Sequence, residues 1–226
     1  AYYNLGGAYT RKDQADAALA AFKEALRLSP DDPLVHYGLG FTYRMQGQSD
    51  AAEKAFKQAL DLKPDFAKAH GSLGVVYIDQ GRLDQAIDSL RTAIALKSGD
   101  AMFHDNLGVA LARNGLTTAA IASFKDAIDI DPDYANPYLG LGGAYIEANQ
   151  LDVAADALSA AIRIDPESAK AHYNLAVVQT LQGDADAAAA AYAEAGRIDP
   201  EFTRSVPSPC PLLPKESASG PFPCPM

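Results

Sequence analysis

The sequence predicts an all-α solenoid of six helix pairs followed by an irregular, proline-rich tail. Three observations carry this. A pattern with a period of 34 residues recurs six times in register. Within each copy, apolar and small residues fall at i, i+3, i+4 and i+7, the spacing of one helical face, in two separate blocks. Finally, the period stops near Phe202, where the composition turns to proline and serine.

Each element follows from the letters of the repeat, numbered so that Ala135 is its first position. Position 7 is Leu5, Leu39, Leu73, Leu107, Leu141 and Leu175, and position 8 is Gly6, Gly40, Gly74, Gly108, Gly142 and Ala176. Position 11 is Tyr9, Tyr43, Tyr77, Leu111, Tyr145 and Gln179. Positions 4, 7, 8 and 11 make the inner stripe of a first helix. A second helix carries Ala at position 20 (Ala18 to Ala188), Phe, Leu or Tyr at 24 (Phe22, Phe56, Leu90, Phe124, Leu158, Tyr192) and Ala at 27. The small residues let paired helices approach, and the large residue at 24 is expected to fill the space between one pair and the next. Position 15 is Gly47, Gly81, Gly115 and Gly183, with Asp13 and Asn149 elsewhere, all tolerant of the left-handed turn that ends a helix. Asp16, Asp50, Asp84, Asp152 and Asp186 at position 18 are expected to be N-caps of the second helix. Proline at 32 stops that helix in five copies. Ser98 replaces it in the third, which predicts a looser turn over Lys97–Asp100.

The pairs are expected at 1–32, 33–66, 67–100, 101–134, 135–168 and 169–202, with the tail at 203–226. Ala1 falls at position 3 of the repeat, inside the first helix, so the chain reads as processed or truncated. The sixth copy departs most, with Ala176, Gln179 and Gly196 at otherwise regular positions and Ala187–Ala191 nearly filling its second helix. Six prolines lie between Pro207 and Pro223, so no closing helix is expected beyond the sixth pair.

This pattern resembles the tetratricopeptide repeat (TPR) family over residues 1 to about 202. The resemblance implies a right-handed superhelix and a protein–protein interaction scaffold. It also implies that positions 2, 5, 6, 9, 12 and 13 of the first helices face a ligand groove. The groove candidates are then Tyr3, Asn4, Tyr37, Phe41, Arg44, Lys68, Asn106, Leu139, Tyr173 and Asn174. Asn at position 6 grips the backbone of an extended peptide in some relatives. Tyr3 stands where members that clamp a terminal carboxylate carry lysine, so that specialised clamp is not expected.

Composition narrows the partners. The net charge is −10, and Arg204 and Lys215 against Glu216 give the tail +1, leaving −11 on the repeats. An acidic rod is a poor ligand for nucleic acid or anionic lipid, and no apolar run approaches the ~20 residues that span a bilayer. Protein partners are expected, with neither nucleic-acid binding nor membrane insertion. No residue set resembles a nucleophile with its base, a phosphate loop or a metal cage, so neither an enzyme nor a cofactor is expected.

His36, His70, His104 and His172 all fall at position 4, with Tyr2 and Tyr138 in the other copies. Equivalent positions lie roughly 10 Å apart by helix packing, too far for shared metal ligation at about 2 Å, so they are expected to pack where an aromatic would. Cys210 and Cys224 both lie in the tail. Either a bridge or two thiols fits, and a bridge favours an extracellular or periplasmic location.

Two functions remain. One is self-association head to tail into a fibre, with Leu212, Leu213 and Phe222 anchoring a tail that straps subunits together. The other is an adaptor whose groove holds an extended peptide of a different protein. The first is favoured because it uses the tail as well as the repeats.

Overall fold

The computed structural model describes residues 1–206 with Ser208 and Pro209. Among them every regular element is a helix, and the chain divides into two units, Ala1–Asn114 and Gly115–Met226. The first unit holds α1 (Tyr2–Arg11), α2 (Ala15–Leu28), α3 (Pro33–Met45), α4 (Ser49–Leu62), α5 (Ala67–Asp79), α6 (Leu83–Leu96) and α7 (Ala101–Arg113). The second holds α8 (Thr117–Ile130), α9 (Ala135–Glu147), α10 (Leu151–Ile164), α11 (Ala169–Gln182), α12 (Ala185–Ile198) and a short α13 (Pro200–Ser205). In each unit a helix packs on its pair partner and on the next pair along, the nearest-neighbour layout of a solenoid.

The repeat letters act as their sizes dictate. The position-20 alanines Ala18, Ala52, Ala86, Ala120 and Ala154 have no exposed surface. The Phe22 ring lies under two glycines at once: a Cβ on Gly6 would stand 2.7 Å from it and one on Gly38 only 2.5 Å. Phe56 occupies the same niche below Gly40, and Phe124 does so below Gly140. The residue at 24 therefore sits between the first helix of its own pair and that of the next. The turns between paired helices pass through left-handed backbone at Asp13, Gly47, Gly81, Asn149 and Gly183, with φ between 55° and 83°.

Consecutive pairs are tied by two repeated clasps. At position 4, the ring Nε2 of His36, His70, His104 and His172 donates to the carbonyls of Pro30, Pro64, Ser98 and Pro166 at 2.9–3.1 Å. The Tyr138 hydroxyl does the same to Pro132 at 3.2 Å. A carbonyl only accepts, so Nε2 carries the proton in each ring. The histidines are thus hydrogen-bonding clasps as well as packing groups. The second clasp joins position 14 to position 18 of the preceding repeat: Gln46 to Asp16, Gln80 to Asp50, Asn114 to Asp84 and Gln182 to Asp152, at 2.8–3.1 Å.

Two sequence expectations need correction, and a third, the turn at Ser98, holds. The position-18 aspartates are not N-caps. They sit inside the first helical turn, after Gln14, Gln48, Arg82, Gln150 and Asp184 at the caps, and the carboxylates of Asp16, Asp50, Asp84 and Asp152 are taken by the amides of the next repeat. The turn at Ser98 is looser in its backbone, as expected: Lys97 keeps the angles of its counterparts (φ −151° and ψ 87°, against −144° and 77° at Ser29), but the backbone bond that Asp32, Phe66, Tyr134 and Ser168 make across the other turns has no equivalent at Asp100, and a 2.8 Å Lys97–Asp100 ion pair spans the turn instead. A closing helix does exist. Asp199 caps α13 by accepting from the backbone of Glu201 and Phe202, and Pro200 occupies the first turn, where its missing N–H costs nothing.

Candidate functional site

In the first unit, the first helices of the pairs carry two adjoining recesses. One, of about 380 Å³, is lined by Tyr3, Asn4, Arg11, Phe22, Tyr37 and Phe41, among others. The other, of about 230 Å³, is lined by Tyr37, Phe41, Arg44, Lys68, Phe103 and Asn106, with Ser72 and Met102. Tyr37 and Phe41 on α3 are common to both, so the recesses form one continuous strip over α1, α3, α5 and α7.

The strip is built by the same volume rule that builds the core. Tyr37 is held at a tilt against Phe56 and Phe66, with ring centroids 5.7 and 5.0 Å away and interplanar angles of 49° and 43°. Its hydroxyl takes a long 3.5 Å contact from Ser72. Tyr3 leans on Phe22 at 6.0 Å. Gly71 gives way to Phe103, whose ring comes within 2.4 Å of where a Cβ would be. The Arg44 guanidinium lies 5.5 Å over the Phe41 ring, which pins both side chains along the strip. The floor is aromatic, and the rim carries Arg11, Arg44 and Lys68 with the amides of Asn4 and Asn106. Asp100 on this rim is neutralised by Lys97.

All seven sequence-predicted residues of the first unit therefore line the strip. The three from the second unit are placed differently. Leu139 on α9 is half-buried. Tyr173 on α11 is engaged in packing, with Phe202 edge-on at 5.6 Å and Tyr192 at 6.3 Å. Burial, and then Tyr192, push its hydroxyl pKa up. Asn174, beside it, is also half-buried. Leu212, Leu213, Phe222, Cys210 and Cys224 lie outside the described residues. Residues the sequence reading missed are Arg11, Phe22 and Phe103. Arg11 was legible, since it occupies ligand-facing position 13; the other two reach the strip only through packing.

Outside the strip, Glu53 on α4 gathers Arg82 at 2.6 Å, Lys57 at 2.8 Å and Gln80 at 3.3 Å, while Arg82 stacks 4.4 Å over the Tyr77 ring. Burial by itself would push the Glu53 carboxyl up. The hydrogen bonds from Lys57, Arg82 and Gln80 outweigh it and hold the group at about 2. Among the described residues no group of three or more His, Cys, Asp or Glu could hold a metal ion, and no helix is long and apolar enough to cross a membrane.

Comparison with known families gives the same repeat. One Tetratricopeptide repeat model matches residues 37–101, 77–135 and 139–201, and a second matches 1–65. The chain belongs to the tetratricopeptide repeat family. Solved structures of TPR type superpose on it. One, titled for the APC/C hetero-tetramer Cut9–Hcn1, gives a TM-score of 0.83 at 21% identity over 96% of this chain and 42% of that one. The chain thus spans less than half the length of that match. MamA gives 0.64 at 27% identity over 74% of this chain and 97% of its own. YrrB, described as a TPR protein with an unusual peptide-binding site, gives 0.61 at 19% over 82% and 98%. No curated protein matches. As a TPR protein the chain is a protein–protein interaction scaffold.

Proposed function

We propose that the chain is a non-enzymatic adaptor that holds an extended, largely apolar segment of another protein along the strip of the first unit. The observation that carries this is the continuity of the two recesses through Tyr37 and Phe41. Aromatic side chains on rigid helices supply contact area at little entropic cost, and the asparagine amides at the rim suit the backbone of an extended chain. The test is peptide selection against the full chain, followed by calorimetric titration of the selected peptides. Phe41→Ala, which spares the Tyr37 packing, should weaken them by roughly tenfold or more, as for an interface anchor. Asn4→Ala and Arg44→Ala should weaken them less. Selected peptides that bind Phe41→Ala as tightly as the parent would sink the reading.

Head-to-tail self-association is the second reading. One observation favours it: Tyr2 and Leu5 on α1 are 41% and 43% exposed, whereas Leu39, Leu73 and Leu107 at the position of Leu5 are 5–8% exposed. Sedimentation velocity over a range of concentrations tests it. A concentration-dependent oligomer that Leu5→Glu dissociates would support it, and a monomer at every concentration would remove it.

A further inference from the structure

The acidity of the chain is not shared evenly. The first unit carries 13 Lys and Arg against 14 Asp and Glu, whereas the second carries 6 against 15. Within the first unit the cations are sorted again. The helices that bear the strip, α1, α3, α5 and α7, hold Arg11, Arg44, Lys68 and Arg113 against Asp79 and Asp105. Arg113 serves the fold, donating to the Ile78 carbonyl at 3.0 Å. The other three cations, Arg11, Arg44 and Lys68, line the two recesses. The strip is thus a basic surface on an acidic chain.

Nothing in the chain neutralises this group. Among the described residues, Arg11, Arg44 and Lys68 make no ion pair, whereas Arg27, Lys57, Arg82, Lys97 and Arg197 each reach a carboxylate. Asp100, the acid that lines the strip beside them, is held by Lys97 instead. Lys68 is also placed against its own helix. It is the second residue of α5, where the backbone dipole presents its positive end and favours an acid. Arg11 and Lys68 are exposed, and the Arg44 guanidinium is fixed over the Phe41 ring.

From this charge pattern, and resting on the reading of the strip as a peptide groove, we infer that the partner is an acidic segment, an apolar core flanked by Asp or Glu side chains. The core covers Tyr37 and Phe41, which the two recesses share. Carboxylates on one flank meet Arg11, and those on the other meet Arg44 and Lys68. Side-chain carboxylates are needed, because a single terminal carboxylate cannot serve cations divided between two recesses. The chain's own tail, with Arg204 and Lys215 against Glu216, lacks this complement. The net charge of −10 would by itself select basic ligands. At 0.15 M salt the screening length is only ~8 Å, so the charges in contact decide.

The experiment incubates the full chain with a synthetic library of random peptides, acetylated and amidated so that they bring no terminal charge. Bound peptides are sequenced by mass spectrometry, and Phe41→Ala is run in parallel to mark those that need the strip. The Phe41-dependent peptides should be enriched in Asp and Glu over the library. One of them should bind about fivefold more tightly than its analogue with Asn and Gln in place of the acids, the ratio expected for charge pairs at an exposed rim. That ratio should fall toward one in the double variant Arg11→Gln/Lys68→Gln, and also in about 1 M salt, where the screening length is ~3 Å. Phe41-dependent peptides with no excess of acids would overturn the inference and leave the peptide groove standing. A ratio that survives in Arg11→Gln/Lys68→Gln would also overturn it. The absence of any Phe41-dependent peptide would overturn the groove and the inference together.

Discussion

Gly38 stands where the Phe22 ring leaves 2.5 Å for a Cβ, and Gly143 stands in a helix with nothing within 4 Å. The two should respond oppositely to the same change. Gly143→Ala removes backbone freedom from the unfolded chain at no steric cost, and urea denaturation should show a gain of ~0.5–1 kcal/mol. Gly38→Ala drives a methyl into a rigid ring, and the same measurement should show a loss of ~1–3 kcal/mol. Pairing it with Phe22→Leu should recover most of that loss. The sequence already writes this rule: position 6 is Gly38, Ser72 and Gly140 after Phe22, Phe56 and Phe124, but Asn106 and Asn174 after Leu90 and Leu158. What reads as a partial asparagine ladder for peptide binding is in part a record of ring size next door. Glu53 makes a further residue-scale prediction. Its folded pKa, about 2, lies below its ordinary 4.5, so the unfolded chain binds the proton more readily. Its contribution is complete above about pH 4.5 and is lost as pH falls toward 2. Glu53→Gln should cost ~1 kcal/mol at neutral pH, and the parent–variant difference should vanish in acid. A difference that stays constant with pH would refute the ion-pair account.

Elements are joined by the two clasps, and the clasps predict how the joints tolerate change. His70→Phe keeps the ring and loses the bond to Pro64, so thermal unfolding should show a cost of ~0.5–1.5 kcal/mol. His70→Tyr should restore most of it, because Tyr138 already makes the equivalent bond with its hydroxyl. The second clasp is missing at one joint. There the aspartate position holds Thr118 and the amide position holds Ala148, both partners lost together. Thr117 and Glu147 meet instead, at 3.4 Å. Sequence spacing could not reveal either clasp, because the partners lie 6 or 30 residues apart on different repeats and the period itself makes every such pair look alike. The short α13 was legible in hindsight from Asp199–Pro200, a cap followed by a residue suited to the first turn. Its weight comes from Phe202 against Tyr173, a contact no local pattern announces.

At the scale of the chain, solenoid stability is close to a sum of repeats and the joints between them. Among the second helices, that of the sixth pair buries the fewest side chains. Of its second helix only Ala188 and Ala195 are buried, where α4 buries Phe56 with Ala52, Ala55 and Ala59. Hydrogen exchange should therefore find the amides of α11 and α12 opening before those of α4–α6. Phe202→Ala should widen the gap by loosening α13 from Tyr173, and equal protection across the chain would contradict this. The aromatic strip lies on the first unit, where the pairs carry large side chains, whereas the second helix of the sixth pair has been reduced largely to alanine.

The sequence by itself determined the repeat, the helices and their turns, because these depend on side-chain size and backbone freedom at fixed spacing. The left-handed residues and the fully buried alanines were readable this way, whereas the seven strip residues of the first unit came from the positions that the family resemblance implies. Tertiary structure alone decided what a polar side chain does once it is placed. It turned the position-18 aspartates from caps into acceptors for the next repeat, made clasps of the histidines, and committed Tyr173 to Phe202. Apolar packing follows volume, which a repeat encodes locally. A hydrogen bond follows direction and partner, and those exist only after the neighbouring repeat has docked.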